Sequence, residues 1–259
     1  MGLAEPGLLQ LVDGVERTLH QNVESAEQLW GGYTAQLVLR LHLVGGDSCV
    51  LKAGPPAAVD ARVDWPVELE REIELYRAHP ELDRWRPKFL ADFTTQGWRA
   101  LLMEDLGASL RPPPWTETAV DLVSEGLAAM HSATASPGGC FVHGDVRSDN
   151  LFVAPGRGLV LCDWAEAHLG SCLEDAIYWA IGVALESGRP AADTLAKYTA
   201  FASEPDSGAI CAALARLALM NQQRLQRRGE PAAVRELRSR ELDVVRRWRD
   251  VYLVGGTVR

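Results

Sequence analysis

Three residues have the types and spacing to do chemistry together: Asp145, Asn150 and Asp163. Asp145 and Asn150 share the short polar loop HGDVRSDNLF, residues 143–152, and lie five positions apart. Asp163 follows thirteen positions after Asn150, at the end of the apolar run GLVLC. The segments NLFVA and GLVLC flank Pro155-Gly156-Arg157-Gly158, a turn by composition, so a hairpin would return Asp163 beside Asn150. One carboxylate with one carboxamide is a hard oxygen-donor set. It suits Mg²⁺, which keeps several waters and is held through one or two carboxylates together with phosphate oxygens. Asp145 would remain to orient a hydroxyl and accept its proton.

The surrounding elements must hold these groups in place. TAQLVLRLHLV, beginning at Thr34, alternates polar and apolar residues, turns at Gly45-Gly46-Asp47 and resumes as SCVLKAG, which predicts a hairpin. Before it, residues 8–30 show no alternation and read as a short helix and its exit. VELEREIELYRAH places Val67, Leu69, Ile73, Leu75 and Tyr76 on a helical stripe closed by Pro80. PKFLADFTTQGWRALLMEDLG predicts two more strands joined at Gln96-Gly97. After the break RPPPWTE, Thr116 is placed to cap the helix ETAVDLVSEGLAAMHSA. CFVHGD, NLFVA and GLVLC are short strands around the polar loop. Beyond Ser171 the pattern is helical, with breaks at 188–190, 204–206 and 229–231. The last helix, AAVRELRSRELDVVRRWRDVY, carries Val234, Leu237, Val244, Trp248 and Tyr252 on a rough stripe, with arginines elsewhere. Strands come first and helices later, which predicts an α+β chain in two lobes with the join near Glu104 to Gly107.

Composition excludes several classes. The 259 residues are 47% hydrophobic and 24% charged, enough for a sizeable core. No stretch approaches 18 apolar residues, so no membrane span is expected, and the first residues do not read as a signal peptide. A net charge of −9 disfavours nucleic acid, whose phosphates demand a basic surface, and suits a cationic small molecule. Cys49, Cys140, Cys162, Cys172 and Cys211 are scattered without a CxxC pair, which predicts buried thiols in a reducing cytoplasm. Only three of the 26 basic residues, Lys52, Lys88 and Lys197, are lysines.

An aspartate, an asparagine five positions on and a further aspartate after a hairpin is how the kinase catalytic loop arranges phosphoryl transfer. The resemblance is closer still to a particular family. HGDVRSDN followed by CDW resembles the aminoglycoside phosphotransferase family, the small-molecule branch of the protein-kinase-like fold, with His-Gly-Asp and Asp-Trp in place of His-Arg-Asp and Asp-Phe-Gly. It extends from about Trp30 to Trp179 and is strongest from His143 to Trp164. The resemblance implies a protein-kinase-like two-lobed fold, with residues 1–105 a nucleotide-binding sheet carrying one long helix and residues 106–259 a mainly helical lobe. It implies Asp145 as catalytic base, Asn150 and Asp163 as metal ligands, and His143 as a brace of the loop.

A kinase-like site also needs a cation on the nucleotide phosphates, held by a helix glutamate. Lys52 at the end of SCVLKAG meets the first need. Arg71-Glu72-Ile73-Glu74-Leu75-Tyr76 matches the family's Arg-Glu-x-x-x-Tyr pattern, which selects Glu72 as its partner, with Glu68 the alternative. Gly31 and Gly32, with Tyr33 and Thr34, stand where the family covers the phosphates, although paired glycines equally make an ordinary hairpin turn. By the same analogy Met103 lines the adenine pocket and the main chain of Glu104, Asp105 and Leu106 bonds the purine edge. Arg147 stands where protein kinases carry a lysine toward the transferring phosphoryl group. Asp175 buttresses the catalytic loop, and Glu166, His168 and Glu174 are candidates to face a cationic acceptor.

The expected reaction is transfer from ATP, with GTP the alternative, and Mg²⁺ to a hydroxyl of a small molecule by a monomer or homodimer. An aminoglycoside-like antibiotic is one acceptor. A choline-like amino alcohol, a sugar, homoserine or another antibiotic is the alternative, and a catalytically silent nucleotide-binding module is the rival of another class. A protein kinase is not expected, since there is no Ala-Pro-Glu motif and no long segment after Asp163.

Overall fold

Alternation of side chains across a strand decides how the first half of the chain packs. In the computed structural model, which describes residues 6–29, 37–54, 65–107, 109–202, 205–226 and 232–253, the chain divides into two units, Met1–Gly107 and Ala108–Arg259. The first holds strands β1 (Val23–Gln28), β2 (Leu37–Leu43), β3 (Ser48–Gly54), β4 (Phe89–Thr95) and β5 (Trp98–Glu104) with helices α1 (Pro6–Leu19) and α2 (Trp65–Ala78). The strands form one antiparallel sheet in the order β1-β2-β3-β5-β4. Leu39, Leu41, Leu51, Ala53, Ala100 and Leu102 point to one face and bury against Leu8, Leu11 and Val15 of α1. Leu101 and Met103 point to the other and meet Leu69, Ile73 and Tyr76 of α2. Lys52 lies between Leu51 and Ala53, so the two-residue period turns it toward α2.

The short helix expected within residues 8–30 is α1, and α1 and α2 have fourteen residues each, one on either face of the sheet. Strand β1 was read as a helix exit because VESAEQ is a polar edge with only partial burial. The hairpin of β4 and β5 turns at Gln96 and Gly97, both at positive φ (46° and 87°), the geometry of a two-residue turn matched to strand twist. Arg86, 1% exposed, donates to the carbonyls of Leu75 (3.0 Å) and Tyr76 (2.8 Å) and so caps the end of α2.

The second unit holds α3 (Glu117–Ala133), short strands β6 (Cys140–Val142), β7 (Leu151–Ala154), β8 (Gly158–Leu161) and β9 (His168–Gly170), and helices α4 (Leu173–Ser187), α5 (Ala191–Phe201), α6 (Ser207–Leu225) and α7 (Ala232–Leu253). Thr116 Oγ1 accepts from Ala119 N at 3.1 Å and starts α3. β7 and β8 form the expected hairpin, and β6 pairs with β9. Strand β9 was not expected, since HLG has no period of its own and exists through its partner. At Gly126 of α3 an added Cβ would lie 2.3 Å from Leu159 Cβ, so the missing side chain lets the helix rest on the hairpin. α4 is buried on nearly all sides, from Leu173 to Ile181, as befits a central helix.

The expected α+β order is thus present: a five-stranded antiparallel sheet first, helices after. α7 packs an amphipathic face that keeps Val234 and Trp248 of the stripe read from sequence and adds other residues. Val234, Leu242, Val245 and Trp248 are buried together with Arg238 and Glu241, while Leu237 and Val244 are half-buried. Tyr252 has a side chain outside the described residues.

Candidate active site

Lys52 is 7% exposed and Glu72 is wholly buried, and Lys52 Nζ lies 2.6 Å from Glu72 Oε2. A strand and a helix present them to each other, so neither charge sits in the apolar interior without its complement. Glu68, the alternative partner, is half-buried on the same helix, and Glu70 binds Arg99 at 2.7 Å. Met103 belongs to the core under α2. The Asp105 side chain accepts from Arg40 Nε (2.8 Å), Ser48 Oγ (2.8 Å) and the amide of Gly107 (3.0 Å). Burial pushes this carboxyl up, but Arg40 and the other donors outweigh it and hold it below its ordinary value. Glu104 exchanges bonds with Lys88, its amide donating to the Lys88 carbonyl and its carboxylate accepting from the Lys88 amide, both at 2.9 Å. Leu106 continues the chain from that strand end. Gly31, Gly32, Tyr33 and Thr34 lie outside the described residues.

In the second unit the loop after β6 is held from beneath. Asp175, wholly buried near the start of α4, accepts from the amides of His143 (2.8 Å, at Oδ2) and Gly144 (2.9 Å, at Oδ1), and His131 Nε2 lies 3.1 Å from Oδ2. Burial opposes the charge of Asp175, yet His131 and the loop amides prevail and its pKa is lowered. Gly144 has φ 79°, and a Cβ there would meet the Glu166 carbonyl at 2.8 Å, so the turn into Asp145 requires glycine. The His143 ring accepts from the Asp145 amide (3.2 Å), reaches the Cys162 carbonyl through Nε2 (2.9 Å) and stands edge-on to Trp164. It ties the loop to the end of β8.

Asp145, Asn150 and the end of the hairpin that carries Asp163 come together here. Asn150 Nδ2 donates to the Asp145 carbonyl (3.0 Å) and to Asp145 Oδ2 (3.1 Å), which assigns the amide and leaves its Oδ1 end for another partner. The Asn150 carbonyl accepts from the Cys162 amide at 2.8 Å, so the hairpin returns Asp163 next to Asn150. Asp163 has φ 65°, a left-handed conformation that costs a non-glycine residue about 1 kcal/mol or more and concentrates at functional sites. Arg147 Nη2 lies 3.3 Å from Asp145 Oδ2 and 3.1 Å from Asp149 Oδ2. Burial raises the Asp149 carboxyl; Arg147 lowers it, and the charges of Asp145 and Asp163 raise it further. This concentration of negative charge is what a divalent cation would relieve. Among the described residues no three His, Cys, Asp or Glu side chains form a complete metal cage. An asparagine oxygen and an aspartate fit an ion that fills its shell with phosphate oxygens and water.

The candidate acceptor residues are differently placed. Glu174 is 5% exposed and committed to structure: it accepts from the Ser171 amide (3.0 Å) and pairs with His168 (3.2 Å) and Arg216 (2.9 Å). His168 Nδ1 lies 2.9 Å from the Glu166 carbonyl, and Glu174 raises the imidazole pKa. Glu166 lies half-buried in the turn behind Asp163. Three groups beside Asp145 were not anticipated. Tyr178 of α4 donates to Asp145 Oδ1 at 3.2 Å, and Arg238 and Glu241 of α7 surround the same hydroxyl. The available signal was an arginine and a glutamate three residues apart on the buried spacing of an amphipathic helix.

Residues 133–211 match the model of the APH family, described as "Phosphotransferase enzyme family". The resemblance drawn from HGDVRSDN and CDW is borne out over this segment, which holds both motifs. Comparison with curated sequences gives no match. Among solved structures, choline kinase LicA from Streptococcus pneumoniae is similar with a TM-score of 0.63 at 12% identity, over 93% of this chain and 99% of that one. A thermostable mutant of aminoglycoside phosphotransferase APH(4)-Ia gives 0.61 at 16% identity, over 92% and 98%. A putative fructosamine-3-kinase from Haemophilus somnus gives 0.61 at 10% identity, over 92% and 96%. At these identities the likeness is one of fold.

Proposed function

We propose that this chain moves the γ-phosphoryl group of ATP to a hydroxyl of a small molecule, with Asp145 as the base. The observation that carries this reading is the arrangement of the Asp145 carboxylate, whose Oδ2 meets both Asn150 Nδ2 and Arg147 Nη2, one hairpin away from Asp163. Asp145 orients the acceptor hydroxyl and takes its proton as the oxygen attacks phosphorus. Arg147 stands beside this carboxylate and compensates the charge gathered on the phosphoryl oxygens. Lys52, fixed by Glu72, binds the α- and β-phosphates. Asn150 and Asp163 would hold Mg²⁺, which when bound neutralises charge on the β- and γ-phosphates. Backbone groups of Glu104 to Leu106 are assigned to the purine edge. Residues 31–34 are assigned to the phosphates.

The acceptor class follows from charge. With a net charge of −9, the protein attracts cations, which puts aminoglycosides and choline-like alcohols ahead of neutral sugars. The five free thiols suit a cytoplasmic setting. The test is transfer of labelled phosphate from ATP to a panel containing choline, hygromycin B, spectinomycin and a fructosamine, with Asp145→Ala as control. One labelled product that disappears in the variant supports the reading. Tight magnesium-ATP binding with no labelled acceptor contradicts it in favour of a silent nucleotide-binding module.

A further inference from the structure

We infer, resting on the function proposed above, that Tyr178 is a positioning residue for Asp145 and that α7 controls it through Arg238 and Glu241. The Asp145 carboxylate is held at both oxygens. Oδ2 receives Asn150 Nδ2 (3.1 Å) and Arg147 Nη2 (3.3 Å), and Oδ1 receives the Tyr178 hydroxyl (3.2 Å). A carboxylate bonded at one oxygen can swing about its last torsion, whereas bonds at both fix the lone pair that meets the acceptor proton.

The hydroxyl is itself constrained. It has one proton and two lone pairs. Arg238 Nη1, 3.2 Å away, can only donate and so occupies a lone pair. The proton is then shared between two carboxylates, Asp145 at 3.2 Å and Glu241 at 3.3 and 3.4 Å. Tyr178, Glu241 and Arg238 are 2%, 3% and 8% exposed. A buried acid and base are costly to maintain, and apolar residues would pack a helix face at least as well. A phenylalanine would fill the volume of Tyr178. What the polar version adds is a hydroxyl whose direction is set by the last helix and passed to the base. The order of groups is Glu241 and Arg238, then Tyr178, then Asp145, so residues about sixty positions beyond the tyrosine bear on phosphoryl transfer without touching ATP.

The experiment is steady-state kinetics of Tyr178→Phe, Glu241→Gln and the double variant, with the acceptor that the panel identifies. Tyr178→Phe should lower kcat roughly tenfold to a hundredfold, the scale of one bond to a charged group or a small misplacement of the base. The KM for ATP should stay within about twofold, since the hydroxyl touches no nucleotide group in this scheme. Glu241→Gln should change kcat in the wild-type background and have no effect in the Tyr178→Phe background, because it acts through the hydroxyl. An unchanged kcat in Tyr178→Phe, or a loss expressed in KM for ATP, overturns the positioning role. A Glu241→Gln effect that is equal in both backgrounds, or absent from both, overturns the part given to α7. If Tyr178→Phe does not fold, Glu241→Gln decides alone: altered kcat at constant KM supports the coupling and unaltered kcat overturns it. A wild-type protein inert toward the whole panel would end the proposed function and this inference together. An active wild type with an unaffected Tyr178→Phe ends only the inference.

Discussion

In the first unit Lys52 meets Glu72 on a strand and a helix whose apolar neighbours fix both backbones. In the second, Asp145, Asp149 and Glu241 share Arg147 and Arg238 around a loop and two helices, with Asp163 one hairpin away. The pair joins opposite charges and folds into place as part of the core. Among the described residues the cluster gathers more carboxylates than guanidinium groups, and directed bonds from Asp175, Asn150 and Tyr178 hold it. A lysine held by a fixed carboxylate suits a grip on an anionic ligand, while the gathered carboxylates favour the arrival of a cation. The two regions should therefore fail in different ways when one charge is removed.

Asp145→Ala should give the largest effect, a loss of turnover on the order of a thousandfold with ATP affinity almost unchanged, measured by labelled transfer and by calorimetry. Equal loss of both would blur the distinction between a chemical and a structural charge. Lys52→Met should instead cost stability, about 3–5 kcal/mol in urea unfolding, because Glu72 is left buried without its cation. Adding Glu72→Leu should recover most of that stability without restoring ATP affinity, which separates packing from binding.

Asp175→Asn should cost roughly 3 kcal/mol by placing an amide against the backbone donors of the loop. Its pKa is lowered in the folded state, so its contribution is fully present above the ordinary carboxyl value of 3.8 and is lost as pH falls through the folded value. The difference in stability between wild type and Asp175→Asn should accordingly be constant near neutrality and shrink in acid below about pH 3.8. The smallest effect belongs to His168, half-buried against Glu174, whose pKa is raised above 6.5. Its contribution is present below pH 6.5 and lost as pH rises through the folded value. His168→Gln should remove less than about 1 kcal/mol of stability at pH 6 and almost none at pH 8, read from paired urea curves.

Much of this was legible in the sequence because the signals are local. Alternation marked β2 to β5, Thr116 marked the start of α3, and a five-residue interval with a hairpin marked Asp145, Asn150 and Asp163. Lys52 and Glu72 needed the family pattern as well, since four glutamates on one helix give no ranking by themselves. What escaped depends on distant partners. The three residues of β9 form a strand only against β6, and β1 is an edge too polar to announce itself. On α7 a count of apolar residues favoured Leu237 and Val244, whereas the fold buries Arg238 and Glu241 because a tyrosine on α4 offers them a hydroxyl.

The claim on which the rest depends is that the loop and hairpin of the second unit hold a divalent ion beside Asp145. Titration of Mn²⁺ by electron paramagnetic resonance, with a nonhydrolysable ATP analogue present, reads this in wild type, Asn150→Ala and Asp163→Ala. The account predicts saturable binding in wild type, weakened roughly tenfold or more in each variant while the proteins remain folded. Equal Mn²⁺ affinity in all three would contradict it.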